Sequence, residues 1–131
     1  MVATHPTPCP CQSGSDYAQC CARWHQGTSA PTAEALMRSR YAAYALGLKD
    51  YLLTSWHSST RPGILGLATE PPVKWLGLRI LRTENVTPEQ AIVEFIARYK
   101  VNGKAEKLHE TSRFVQENGR WFYVDGDFTD A

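Results

Sequence analysis

All four cysteines of the chain lie within thirteen positions, in the segment CPCQSGSDYAQCC that begins at Cys9. The spacing is a Cys-x-Cys pair, Cys9 and Cys11, followed after eight residues by the adjacent pair Cys20 and Cys21. A segment this short cannot bury enough apolar surface to fold alone, so a covalent or metal link must hold it. The cluster therefore constrains the N-terminal structure more than any other feature of the sequence.

The cellular compartment decides between a metal site and disulfides. The first residues, MVATHP, lack the basic stretch and apolar run of a secretory signal, and no segment has the roughly 20 apolar residues of a membrane helix. We therefore expect a cytoplasmic protein with no membrane partner, in which thiols stay reduced. Clustered thiols in such a protein indicate metal binding or redox chemistry.

Zinc is the metal that this ligand set favours, because Zn²⁺ takes four sulfur or nitrogen ligands in a tetrahedron. A second ligand set stays open, in which His25 replaces Cys21, since imidazole also binds zinc. Disulfides, a redox-active thiol or four inert cysteines are the other interpretations, but an adjacent-residue disulfide is strained and the Cys-x-x-Cys redox spacing is absent. The predicted cofactor is Zn²⁺ and the predicted ligands are Cys9, Cys11, Cys20 and Cys21.

The segment CPCQSGSDYAQCC resembles the SEC-C motif, a Cys-x-Cys then Cys-Cys or Cys-His zinc knuckle named after the C-terminal tail of the SecA translocation ATPase. The resemblance implies that the four cysteine positions are zinc ligands and that the knuckle docks protein partners. Gln12 stands where the motif commonly has glycine, which makes the turn less permissive. We assign residues 1–27 to this knuckle and residues 28–131 to a second domain.

The second domain begins with helices and ends with strands. Thr32 can cap a helix that ends near Gly47, and a second short helix is predicted over residues 50–56. A loop rich in Ser, Thr, Gly and Pro follows over residues 57–72, with room for one helical turn at 64–67. Period-two alternation then predicts four strands, at about residues 74–82, 90–101, 104–116 and 120–125.

Two Asn-Gly dipeptides, at residues 102–103 and 118–119, predict tight type I′ turns between the last three strands. Helices followed by such a meander indicate an α+β fold in which the sheet wraps a helical layer. The turns also fix the register, which sets Phe95 opposite Glu110, and Ser112 opposite Asp125. The predicted inward face of the sheet holds Val93, Phe95, Ala97, Tyr99, Leu108, Phe114, Trp121 and Tyr123.

This second region resembles the YchJ-like family of small bacterial proteins, in the segments AEALMRSRYAAYALGLKDYLLTSWHSSTRP, WLGLRIL, FIARYKVNG and LHETSRFVQENGRWFYVDGDF. With the knuckle, the resemblance covers nearly the whole chain. It implies a cone similar to nuclear transport factor 2 and ketosteroid isomerase, in which helices pack on a curved antiparallel sheet of four or more strands. The resemblance implies a fold and zinc, but no activity.

Two classes of function compete for such a chain. We favour a non-enzymatic adaptor, in which the knuckle docks a protein partner and the cone supplies a second surface. The alternative is a small-ligand-binding cone with isomerase- or lyase-type proton transfer, in which a carboxylate acts as base and a hydroxyl as hydrogen-bond donor. The pocket candidates for this alternative are Glu110, Ser112, Asp125, Tyr123 and Tyr41.

No catalytic residue is assigned, because a carboxylate among aromatics is as often part of a structural ion pair, here Glu110 with Arg38 or Arg40. Nucleic acid is not expected as a partner, since the formal charge is only +1 and the knuckle has few basic groups. The outward face of the sheet carries apolar side chains that the knuckle, a C-terminal segment or a second subunit could cover, so a homodimer stays open. These side chains are Ile92, Ile96, Phe122 and Val124.

Overall fold

Helices precede strands in the computed structural model, which describes residues 8–62 and 73–129. After one 3₁₀ turn at Tyr17–Gln19, the helices are α1 (Cys21–His25), α2 (Ala33–Leu46) and α3 (Lys49–Thr54). The strands are β1 (Val73–Thr87), β2 (Gln90–Val101), β3 (Lys104–Glu117) and β4 (Arg120–Phe128). The predicted α+β class is confirmed, whereas the helical turn predicted at 64–67 lies outside the described residues.

Helix α2 begins and ends where the sequence indicates. The Thr32 hydroxyl accepts a hydrogen bond from the Ala35 amide at 3.0 Å, which satisfies one free N–H of the first turn. At the other end Gly47 adopts a left-handed conformation (φ 76°), which glycine tolerates because it has no Cβ. No helix of the described ranges is long and apolar enough to cross a membrane.

The sheet is an antiparallel meander in the order β1-β2-β3-β4. Asn102 and Asn118 have φ values of 54° and 53° and each precedes a glycine with positive φ, as a type I′ turn requires. The predicted register between β2 and β3 is confirmed, with Phe95 opposite Glu110. Burial alternates along β2, so one face of the sheet is turned to the interior.

The predicted register between β3 and β4 holds only beside the turn. Phe114 lies opposite Tyr123 as expected, but a bulge in β4 then shifts the pairing by one residue. Arg113 therefore lies opposite Asp125, and Ser112 opposite Gly126. The predicted Ser112–Asp125 pair is wrong, because one extra residue in a strand moves the following side chains to the other face.

The main core lies between α2 and the inward face of the sheet. Leu36, Met37 and Tyr41 of α2 are buried in this core, where α2 contacts β1, β2 and β4. This burial of apolar and aromatic area supplies most of the stabilising free energy of the cone. The sheet residues buried there are Ala91, Val93, Phe95, Ala97, Phe114 and Trp121.

The outward face of the sheet combines ion pairs with a short cover from the chain itself. Glu94 accepts hydrogen bonds from Arg82 and His109. Further along, the ring of His57 stands edge-on to Phe122 with centroids 6.0 Å apart. The turn that follows α3 therefore covers part of this face. The sequence had suggested the knuckle, a C-terminal segment or a second subunit as the cover, and did not suggest this turn.

Candidate functional site

The four cysteine side chains converge at one point. All four Sγ atoms lie within 4.8 Å of one another, with 3.6 Å between Cys11 and Cys20 and 3.9 Å between Cys20 and Cys21. Four thiolates at about 2.3 Å from a tetrahedral zinc ion would stand about 3.8 Å apart. The sulfurs are thus clustered at metal-binding distance, with Cys20 half-buried and the other three buried.

Backbone hydrogen bonds hold the cysteines in this arrangement. The Cys9 amide donates to the Ser15 carbonyl at 3.0 Å, and the Gln12 amide donates to the Cys9 carbonyl at 3.1 Å. Gln12 adopts a left-handed conformation (φ 67°), which an L side chain disfavours and glycine tolerates. The position where the motif commonly has glycine is therefore one where the backbone favours glycine.

The thiols cannot all ionise without a cation. Burial raises the pKa of Cys9 to about 11, while hydrogen bonding with Cys21 lowers the pKa of Cys11 to about 4. The same hydrogen bond, together with burial, raises the pKa of Cys21. Burial thus favours the protonated form of Cys9, the Cys11 thiolate favours that of Cys21, and a bound cation would have to displace those protons.

His25 does not point at the cysteine cluster. Its Nε2–H donates to the Ser39 carbonyl at 2.8 Å, so Nδ1 accepts the Tyr17 hydroxyl at 2.6 Å. Burial lowers the pKa of this imidazole, which keeps it neutral. Since both ring nitrogens are engaged, the geometry does not support the alternative in which His25 replaces Cys21.

The knuckle packs on α2 around Arg38, Ser39 and Ala42. Arg38 donates through Nη1 to the Cys11 carbonyl at 3.0 Å and through Nε to Glu34 at 3.0 Å. Ala42 is fully buried among the cysteines. Helix α2 therefore carries the cysteine cluster, while Gln12 of the knuckle also lies beside Gly77 of β1.

A cavity of about 360 Å³ lies between α2 and the inward face of the sheet. The helix contributes Met37, Arg40 and Tyr41 to its wall, and the sheet contributes Ala97, Glu110 and Ser112. Most of the remaining wall is aromatic, so the cavity combines apolar surface with a few polar groups. The other aromatic lining residues are Tyr44, Trp56, Trp75, Phe95, Tyr123 and Phe128.

Glu110 is buried in the wall of this cavity. Its Oε2 accepts hydrogen bonds from the Ser112 hydroxyl at 2.7 Å and the Tyr123 hydroxyl at 3.3 Å. A Cβ on Gly126 would come within 2.0 Å of the same oxygen, so only glycine leaves room for this position of the carboxylate. The expected ion pair with Arg38 or Arg40 is not formed, since neither lies within salt-bridge distance of Glu110 in the described ranges.

Four of the five predicted pocket residues surround the cavity, and Asp125 does not. Tyr41, Glu110, Ser112 and Tyr123 line it. Because of the β4 bulge, Asp125 is exposed on the outward face, where it forms an ion pair with Arg113. Its prediction as a pocket residue is wrong for that reason.

Arg40 is the cavity residue that the sequence analysis considered only as a salt-bridge partner. Its side chain is 4% exposed, and Nη1 donates to the Leu52 carbonyl at 2.8 Å and the Ser55 hydroxyl at 2.6 Å. The guanidinium carbon is 4.6 Å from the centroid of the Tyr123 ring and 5.1 Å from that of Trp56. No carboxylate of the described residues lies within salt-bridge distance, and desolvation lowers the pKa of Arg40.

A signal for Arg40 is present in the sequence. Met37, Tyr41 and Tyr44 recur at helical spacing in the sequence of α2, and Arg40 lies on the same helical face by the i, i+3 and i, i+4 rules. An arginine inside an apolar stripe indicates a buried or cavity-facing charge. Trp56 and Trp75 also line the cavity and were not predicted to do so. Their positions depend on how the segment after α3 and strand β1 pack in the folded chain.

Comparison with known families identifies both regions of the chain. The family described as "YchJ, middle NTF2-like domain" matches residues 32–126, and the SEC-C motif matches residues 7–23. A UPF0225 protein of Chromobacterium violaceum is 56% identical over 123 residues, which are 90% of each chain. Another UPF0225 protein, from Bordetella parapertussis, is 51% identical over 93% of each chain. The two resemblances seen in the sequence are confirmed.

Solved structures show the same architecture. The solution structure of a SEC-C motif containing protein from Rhodopseudomonas palustris is 35% identical, with a TM-score of 0.83 over 95% of this chain and 100% of that one. A crystal structure of a SEC-C motif containing protein from Psychrobacter arcticus is 26% identical, with a TM-score of 0.78 over 95% of this chain and 84% of that one. The predicted combination of an N-terminal knuckle and an NTF2-like cone is thereby confirmed.

Proposed function

Since the chain belongs to the YchJ family and carries a SEC-C motif ahead of the NTF2-like domain, we propose that it is a zinc-stabilised protein that binds a small, largely apolar molecule in its cone. The observation that carries this proposal is the aromatic-walled cavity of about 360 Å³ with buried Arg40 and Glu110 in its wall. Small-molecule sites typically measure about 300–1,000 Å³ and combine apolar walls with a few polar groups.

The zinc part of the proposal rests on the ligand set. Four thiolates in a tetrahedron suit zinc or iron, and a closed set of four without an open position is typical of structural zinc. Such an ion would hold residues 9–21, where few apolar contacts are available. The metal would thus act on folding of the knuckle and have no direct part in chemistry.

Metal analysis of protein purified without chelator tests the zinc assignment. We expect one zinc ion per chain, lost in Cys21→Ala and kept in His25→Gln and Ser13→Ala. Ser13 is the sharper control, because its hydroxyl lies 3.2 Å from the Cys20 sulfur without belonging to the ligand set. Iron in place of zinc, or loss of the metal from His25→Gln alone, would contradict the assignment.

Ligand binding is tested with 2-naphthol, a small aromatic probe, followed by amide chemical shifts. Ala97 lines the cavity from β2, so Ala97→Leu fills it and should abolish binding. Arg98→Leu is the matched control, because the neighbouring residue points to the opposite face and is exposed. Equal binding to both variants, or no binding to the unmodified protein, would count against the cavity as a ligand site.

We rank a docking role for the knuckle second. The sequence favoured this role, and a structural observation is the reason for changing the order. The Cys11 carbonyl and His25 bond to α2, which gives the knuckle a structural task within the chain itself. A protein partner, a homodimer and a cytoplasmic location stay predictions. Proton transfer by Glu110 also stays a prediction, in which Tyr123 and Ser112 would orient the carboxylate.

A further inference from the structure

We propose that the cavity ligand is an aromatic carboxylic acid, whose carboxylate binds Arg40 and whose planar body packs between the aromatic walls. The inference rests on the proposed ligand-binding function and names the chemical class of the ligand. It follows from the surroundings of one guanidinium.

Arg40 is held on three sides and open on the fourth. The Leu52 carbonyl and the Ser55 hydroxyl occupy Nη1, and the rings of Tyr123 and Trp56 lie near the guanidinium carbon. In the described part of the chain, no acceptor bonds to Nε or Nη2. These two groups form the edge that binds a carboxylate through two parallel hydrogen bonds.

The charge of Arg40 favours an anion at that edge. Removing a guanidinium from water is costly unless an anion pairs with it, and Arg40 is buried. Glu110 attracts it only at longer range, beyond salt-bridge distance, while Ser112 and Tyr123 donate to the carboxylate instead. A ligand carboxylate would supply the contact that the described protein groups do not.

Glu110 adds a second condition on the ligand. As a carboxylate in the cavity wall it repels a second anion and accepts hydrogen bonds, so the part of the ligand that faces Glu110 should carry an N–H or O–H donor. The aromatic rings of the cavity wall favour a planar body. Indole-3-acetate has this combination of carboxylate, planar ring and N–H, and therefore serves as the probe.

A competing interpretation makes Arg40 a purely structural link. Its bonds to Leu52 and Ser55 join α2 to α3, and that role alone requires no ligand. The two interpretations differ in one measurable respect, because a structural link does not distinguish a carboxylate from an amide of the same shape.

Calorimetric titrations with indole-3-acetate and indole-3-acetamide make this distinction. We expect the unmodified protein to bind the carboxylate at least about tenfold more tightly than the amide, since a charge-assisted pair is stronger than a neutral hydrogen bond. Arg40→Gln should bring the two affinities within about twofold, and Ala97→Leu should abolish both. Arg98→Leu, on the outward face, should leave the ratio unchanged.

Equal affinities in the unmodified protein, or binding of 2-naphthol but of neither indole probe, would overturn the carboxylate assignment and leave the cavity as a ligand site. Failure of all three probes to bind would count against both proposals. If Arg40→Gln does not fold, Arg40→Lys keeps the charge but lacks the two-pronged edge, and it should reduce the carboxylate preference without abolishing it. An unchanged preference in Arg40→Lys would also overturn the role of that edge.

Discussion

The knuckle and the cavity lie on opposite sides of α2 and use their buried polar groups in opposite ways. Beside the thiols, polar groups bond to other groups of the chain. Both ring nitrogens of His25 are hydrogen-bonded, and Arg38 donates to the Cys11 carbonyl. Around the cavity Arg40 keeps one edge open beside empty volume. A closed set of contacts is typical of a structural site and an open set of a binding site. The cone is therefore the better place to look for a ligand.

The residues of α2 that contact the two regions lie within about one turn of the helix. Arg38 and Ser39 contact the knuckle, whereas Arg40 and Tyr41 line the cavity. The comparison is therefore testable, because a substitution on the knuckle side of α2 should have a small but measurable effect on the cavity side, and the reverse.

Removal of the metal should have the largest effect and should fall on the knuckle. An apparent binding free energy of about 10 kcal/mol is typical of structural zinc, and few apolar contacts could replace it here. We expect a chelator to remove amide protection from residues 9–25 while β2 and β3 keep theirs. Amide hydrogen exchange, resolved by residue, measures both.

Cys21→Ala should give the same exchange pattern without chelator. The first residues of the cone to lose protection should be those beside Arg38 and Ser39, which bond to the knuckle. Loss of protection throughout β2 and β3 would show that knuckle and cone form one cooperative unit, and the comparison would then fail.

High pH should weaken the cavity wall. Burial raises the pKa of Tyr41 to about 12 and also raises that of Tyr123. A folded-state pKa above the unfolded value of about 10 means that this stability is complete below about pH 10 and is lost as pH rises toward 12. We expect the free energy of unfolding in urea to stay level up to about pH 10 and to fall between about pH 10 and 12.

Tyr41→Phe is the control for this effect. It removes one of the two tyrosine hydroxyls, so the free energy of unfolding should fall less steeply with pH. An equally steep fall in Tyr41→Phe would indicate that other groups cause it. Ionisation of all six tyrosines by pH 11 without unfolding, followed by absorbance at 295 nm, would contradict a buried cavity wall.

The smallest expected effect is a gain in the knuckle. Gln12 has a left-handed backbone, which costs an L residue about 1–2 kcal/mol, so Gln12→Gly should tighten metal retention by about fivefold. Competition with a chelator measures this gain, and Ser13→Gly should show none. Weaker retention in Gln12→Gly would mean that the packing of the Gln12 side chain beside β1 outweighs the strain.

Local signals in the sequence were sufficient for much of this fold. Thr32 and Gly47 bound α2, and the Asn102-Gly103 turn fixes the β2–β3 register for the whole length of the hairpin. These features depend on residues close together in the chain. The cysteine cluster was predictable for the same reason, because one short segment supplies all four thiols.

Features that depend on distant contacts were not predictable. Strand β1 continues to Thr87, beyond the predicted end near 82, since pairing with β2 supports residues that are exposed and lack an alternating pattern. The bulge that moves Asp125 outward lies next to Gly126, a residue typical of bulged strands, but the sequence does not show at which residue the register shifts. The packing of the knuckle on α2 is a third case, because residues 26–31 (QGTSAP) have the composition of a linker, which does not show where the knuckle packs.

A substitution at Gly126 would alter the cavity although Gly126 is not one of its lining residues. A single methyl at this position would collide with Oε2, Cδ and Cγ of Glu110, so the buried carboxylate would have to move away from the Ser112 and Tyr123 hydroxyls. The polarity of the cavity floor thus depends on a residue that the ligand need not touch. Related proteins with alanine there would be expected to differ in ligand preference although every residue around the ligand is the same.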